Sequence, residues 1–154
     1  MTTLTPRLTA LAAVLGWGCG GGTSSQVLAP RLEDLHGGFA YRAFDDHGRL
    51  LLVGSVTLEM KADSSIAGTW EIRWAPGADT TAVVGPQVGR GTLAGRFGAE
   101  QTAIDLNPGW ADNNVFLIAR EAGDGELAGR WQHSTFIGPL AEGRFELRRP
   151  LPRG

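Results

Sequence analysis

One five-residue pattern, returning along the chain, limits what this polypeptide can fold into more than any other feature. It reads aliphatic, any, glycine, any, aromatic. The copies are Leu35-His-Gly-Gly-Phe39, Ile66-Ala-Gly-Thr-Trp70, Leu93-Ala-Gly-Arg-Phe97 and Leu127-Ala-Gly-Arg-Trp131, with a stretched fifth, Leu140-Ala-Glu-Gly-Arg-Phe145. At a period of two, the aliphatic, glycine and aromatic positions share one face of an extended strand. The other face is polar: Ala67, Thr69, Glu71 and Arg73 in one copy, Ala128, Arg130, Gln132 and Ser134 in another. A helix would scatter the first set around its axis, so the pattern is that of half-buried β-strands.

The glycine between two large inward residues has a physical use. It lets a strand coil tightly and leaves room for a neighbouring ring to lie over it. Partner strands fall between the copies, and Leu50, Leu52, Gly54, Val56, Leu58 and Met60 alternate along one of them. Turn sequences separate the runs: Asp45-Asp-His-Gly48, Lys61-Ala-Asp-Ser64, Asn107-Pro-Gly109 and Gly123-Asp-Gly125. The expected strands lie near 37–45, 49–60, 65–75, 90–98, 101–107, 114–121, 126–136 and 142–149. A helical turn is expected over 30–36, and the longest loop over 76–89. About eight short strands in sequential hairpins give an all-β fold. It is either a single antiparallel up-and-down β-barrel or a two-sheet sandwich, and the barrel is the leading expectation. Copy spacings of 31, 27 and 34 residues are too uneven for a solenoid.

The first twenty residues read differently. Arg7 precedes an apolar run, Leu8 to Leu15, and small residues follow, the order of a secretory signal. The run is too short to cross a bilayer, which takes about 20 residues. The single cysteine stands directly after it, in Leu15-Gly16-Trp17-Gly18-Cys19. This resembles the lipobox of bacterial lipoproteins, with leucine one place early and Trp17 bulky for its position. The resemblance implies cleavage of residues 1–18, acylation of Cys19, and a flexible tether over 19–29 with Gly20 to Ser25 at its centre. The folded domain is then 30–154. Gly20 after the cysteine implies, by the same analogy, a cell-envelope protein at the outer rather than the inner membrane. An ordinary secreted or periplasmic protein is the alternative.

Composition narrows the function classes. Thirteen Arg and one Lys are spread singly through a chain of net charge −2, which argues against a nucleic-acid partner. One cysteine excludes a disulfide framework. His36, His47 and His133 are far apart, and Asp112-Asn113-Asn114 lacks the spacing of a calcium loop, so no metal and no cofactor is expected. No nucleophile motif occurs, and Glu71 and Glu126 fall on the polar face, so an enzyme is not expected.

The opening from Leu35 to Phe39 resembles the first strand of lipocalin-like (calycin) barrels, with Phe39 where those carry tryptophan. That resemblance implies a barrel holding a small apolar ligand among inward side chains. The candidates are Trp70, Trp74, Phe97, Trp131, His133 and Phe145. The competing expectation is a filled barrel that works through its loops as a protein-interaction or structural lipoprotein, with Trp110 as an exposed anchor.

Overall fold

The computed structural model describes residues 35–123 and 125–150. The strands are β1 (Gly37–Phe44), β2 (Leu50–Met60), β3 (Ser65–Trp74), β4 (Gly89–Arg96), β5 (Thr102–Asp105), β6 (Asn114–Gly123), β7 (Glu126–Thr135) and β8 (Gly138–Arg148). Each pairs antiparallel with the next, and β8 returns to β1 from Ala40↔Arg148 to Phe44↔Arg144, closing a barrel of eight strands. This last ladder excludes the sandwich. The expected helical turn lies mostly outside the described residues.

The inward face is the one the pattern marks. Phe39, Leu58, Ile66, Trp70, Leu93, Leu127, Trp131 and Phe145 are all buried, while Thr57, Thr69, Glu71 and Arg130 are exposed. Tyr41 and Phe145 stack across β1 and β8 with ring centroids 6.3 Å apart. Closure depends on the recurrent glycines. A Cβ at Gly68, Gly95 or Gly129 would collide with the carbonyl oxygen of Thr57, Ala103 or Ile118 on the adjoining strand. These are the corners where the sheet bends sharply enough to close at this strand number.

Two boundaries differ from expectation. β8 begins at Gly138 rather than near 142, because Thr135–Gly138 is a tight turn with Gly138 at φ +114. The stretched copy then carries a bulge. His133 faces Ala141 and Ser134 faces Pro139, so Leu140 has no partner and is exposed. β5 is only four residues long, and its ladder with β4 holds three pairs, Ala94↔Asp105 to Arg96↔Ala103.

Because connections alternate, the turns after β1, β3, β5 and β7 gather at one end of the barrel, here the hairpin end. The chain enters at the other, where Leu35 is fully buried. The hairpin end is covered by the β3–β4 loop (75–88), whose Val84 and Gln87 are buried. Gln87 accepts a hydrogen bond from Tyr41 Oη at 2.7 Å and donates to the Val84 carbonyl at 2.6 Å.

Gly68→Ala is expected to cost about 3 kcal/mol of stability in urea unfolding, the range of overpacking against fixed backbone. Gly38→Ala, where an added Cβ meets nothing within 4 Å, is expected to shift the same midpoint by less than about 0.5 kcal/mol.

Candidate functional site

Two tryptophans, on β3 and β7, each lie across a glycine of the following strand. Trp131 on β7 lies across Gly143 of β8, where a Cβ would come within 2.7 Å of its indole nitrogen. Its Nε1–H donates to the Phe44 carbonyl on β1 at 2.9 Å. Trp70 on β3 lies across Gly91 of β4 in the same way and donates to the Leu106 carbonyl beyond β4 at 2.7 Å, with a longer contact to Thr92 O at 3.3 Å. In each case the ring spans a bare strand and ties the next segment to the barrel.

The second bridge spans a gap. The β4–β5 ladder stops at Ala94↔Asp105, and beyond it Gly89–Leu93 and the segment after β5 diverge without pairing to each other. A groove of about 340 Å³ occupies this seam, and its apolar lining is Trp70, Pro86, Val88, Leu106, Pro108 and Trp110. Trp110 is 55% exposed and Val88 42%, so the groove opens to solvent between them. Arg90 is the one charged residue on its lining.

Polar side chains fix the walls. Asn107 Nδ2 donates to the Pro86 carbonyl at 3.2 Å, joining the β3–β4 loop to the β5–β6 connection (106–113). Asn107 Oδ1 accepts from Val115 N, and the Asn107 carbonyl accepts from Trp110 N and Asn114 Nδ2. Asp105 holds Asn107 N and Asn114 Nδ2 with its two oxygens. Asp112 Oδ1, Asn113 Oδ1 and Asn114 Nδ2 are thus engaged within the fold. Asp112 Oδ1 accepts from Asn113 N and Phe136 N.

His133 sits behind this network, inward and 5% exposed. Its Nε2 faces Asn113 Oδ1 at 2.5 Å, which assigns the proton to Nε2 and leaves Nδ1 buried with no partner. Gly85 of the β3–β4 loop rests on the ring, so that a Cβ there would lie 2.6 Å from it. Burial pushes the imidazole below its ordinary pKa, and the Asp112 carboxylate offsets part of that shift. Burial likewise drives the Tyr41 phenol far above its ordinary value, so it remains a neutral donor to Gln87.

Of the six positions expected around a luminal ligand, Trp70, Trp131 and Phe145 belong to one buried core, and Trp74 and Phe97 pack against it. Trp131 and Phe145 are core, with Phe145 stacked on Tyr41. Trp74 at the end of β3 and Phe97 just after β4 are half-buried at opposite ends of the barrel. His133 lies under the β3–β4 loop, and Trp70 alone reaches the groove. Trp110, expected as an exposed anchor, is the other ring there. Elsewhere, Asp45, Asp46 and His47 bring ligand-type atoms within 4.8 Å of one another. Asp45 is already engaged by Arg49 Nε at 2.6 Å and by the Arg49 and His47 amides. Desolvation raises its pKa, but these contacts together hold it below the ordinary value. Glu71 and Glu126 stand on β3 and β7, which are not neighbours.

No family profile and no curated protein sequence matches the chain. Among solved structures, the barrel is similar to that of EF1p2_mFAP2b bound to DFHBI. The TM-score is 0.50 and the identity 10%, over 77% of this chain and 95% of that one. At this identity the likeness is one of fold.

Because the folded His133 protonates less readily than the unfolded one, its contribution to stability is complete above the ordinary imidazole pKa. That contribution is lost as pH falls below it. Urea midpoints measured from pH 8 to pH 5 are therefore expected to fall for the wild type, with a shallower fall for His133→Gln. Equal slopes would remove His133 as the titrating group.

Proposed function

We propose that this chain is a lipid-anchored protein of the bacterial envelope whose barrel binds a small, apolar, ring-bearing ligand in the seam groove. The observation that carries the ligand reading is the pairing of Trp70 and Trp110 along a solvent-open apolar groove, at a place where the barrel wall is incomplete. Its volume of about 340 Å³ falls at the small end of the ligand-site range, roughly 300–1,000 Å³. Two indoles offer flat apolar surface at little cost in conformational entropy. The interior supports the groove over the lumen as the seat, since Tyr41, Phe39, Trp131, Phe145 and Leu52 are buried against one another there. The similar structure, EF1p2_mFAP2b, is bound to DFHBI, which supports ligand binding by this architecture.

The anchor reading rests on Arg7, the apolar run from Leu8 to Leu15, and Cys19 followed by Gly20 to Ser25. Acyl chains on Cys19 stabilise attachment by about 0.8 kcal/mol per buried CH₂, enough together to hold the domain at a membrane.

The ligand reading is tested on the full chain, purified gently from bacterial envelopes, by native mass spectrometry. Titration with 8-anilinonaphthalene-1-sulfonate, followed by tryptophan fluorescence, is the second readout. Binding is expected, weakened at least about tenfold by Trp110→Ala, the scale of losing one stacked ring. A bare polypeptide mass with no response to the probe, or binding indifferent to Trp110→Ala, would falsify the groove as a ligand seat. For the anchor, Cys19→Ala is expected to move the protein from the membrane to the soluble fraction. A variant that stays with the membrane at unchanged mass would remove it.

A further inference from the structure

The large apolar side chains exposed among the described residues are Val83, Val88, Trp110, Phe136, Ile137 and Leu140. All lie at the hairpin end, opposite the point where the chain enters at Leu35. Three belong to one hairpin: Phe136 is 80% exposed, Ile137 90% and Leu140 51%. Two-residue turns are ordinarily polar, because nothing covers their side chains. Here the tip is Phe136-Ile137, and it is held in place. The Phe136 amide donates to Asp112 on the neighbouring loop at 2.8 Å, and Thr135 Oγ1 donates to the Gly138 carbonyl. The tip is thus a fixed projection with two bare apolar side chains.

A hollow of about 180 Å³ starts at Phe136 itself and is bordered further by Asp112, Asn113, Asn114, Phe116 and Ser134. A projection and a hollow next to each other on one surface are what an isologous contact requires, since each copy then gives a tip and receives one. We propose that this end is a self-association surface through which two copies of the chain pair about a two-fold axis.

Charge and area select a second copy over other occupants. From Thr135 to Ala141 there is no charged residue, and from Leu106 to Asn113 only Asp112, which is already bonded. Within these two segments copies meet without like-charge repulsion, and the β1–β2 turn at the same end carries charges of both signs, Asp45 and Asp46 beside His47 and Arg49. A lipid surface is a poorer match, because interfacial segments combine apolar residues with Lys or Arg, and these segments have neither. Covering Phe136, Ile137, Leu140 and Trp110 supplies on the order of half of the ~800 Å² that each partner buries in a standard interface. The loop margins around them supply the remainder. Leu35, where the described residues begin, lies at the far end of each copy.

The test is sedimentation equilibrium on the full chain carrying Cys19→Ala, so that acyl chains contribute nothing, over a concentration series. The expected result is a mass rising to twice that of one chain. Phe136→Ser with Ile137→Ser is expected to weaken pairing at least about 100-fold, as loss of a central apolar pair does. Far-ultraviolet circular dichroism of that double variant should be unchanged, since both side chains lie outside the core. Thr57→Ala on the exposed barrel wall serves as the control that leaves pairing intact. A single-chain mass at every concentration would overturn the proposal, as would a dimer indifferent to the double substitution. A monomer that instead floats with phosphatidylcholine vesicles through Phe136 and Ile137 would overturn it in favour of a membrane contact.

Discussion

Closure of this barrel depends on a tryptophan lying across a glycine. An eight-stranded sheet has to bend hard to meet itself, and a side chain at the bend would collide with the adjoining backbone. At Gly143 a Cβ would strike the Phe44 carbonyl oxygen, and the Trp131 ring as well. Removing the side chain solves the steric problem but leaves a bare strand with little apolar surface. The indole of Trp131 restores that surface and donates to the carbonyl on the far side. Trp70 repeats the arrangement over Gly91 at the β4–β5 seam, where only three residue pairs hold the ladder. Loss of either indole N–H would leave a carbonyl without its partner, and at Trp70 this falls beside the sparsely paired β4–β5 ladder.

The glycines and rings that make this possible are visible in the sequence, because a period of two leaves no helical reading. The parity of the repeats places Trp70, Trp131, His133 and Phe145 inward, and the structure buries all of them. What parity cannot report is which strand a ring will cross. Trp70 reaches across β4 to the Leu106 carbonyl where β5 is short and β4 continues past it, a fact about strand lengths far apart in sequence. The barrel, as against the sandwich, rests on Tyr41 facing Leu147, a pairing with no local signal. The turn at Phe136-Ile137 is illegible for the opposite reason. Its residues look like more strand, and only Gly138 at positive φ and the bulge at Leu140 reveal the reversal. Trp74 and Phe97, both packed against the core, fall at opposite ends of the barrel, which strand parity alone does not report.

Buried polar contacts decide where chemistry is left available. Gln87 is fully buried, yet both ends of its amide are used, one on Tyr41 and one on the Val84 carbonyl. Such a satisfied pair fixes the β3–β4 loop over the hairpin end at little net cost. His133 is the exception, with one nitrogen bonded to Asn113 and the other buried without a partner. The unmet acceptor lies beneath Gly85, under a loop that Gln87 otherwise fixes. Sealing one end with Leu35 and the other with Val84 and Gln87 leaves the side seam as the accessible apolar surface beside two indoles.

The seam groove and the apolar tip share one support, the β5–β6 connection. Asn107 ties it to Pro86 on the groove side, and Asp112 ties it to Phe136 on the tip side. Trp110 lies between these two attachments, in a turn closed by its amide on the Asn107 carbonyl. A ligand that orders Trp110 acts on the same short segment that positions the tip, and a partner that orders the tip acts on the wall of the groove. Linkage then makes any effect reciprocal: whatever factor pairing imposes on ligand affinity, the ligand imposes on pairing. The sign follows from geometry. Occupants that leave the 107–113 segment in place cost each other nothing and share the entropy of fixing it, whereas one that swings Trp110 outward presses on the anchor of Phe136.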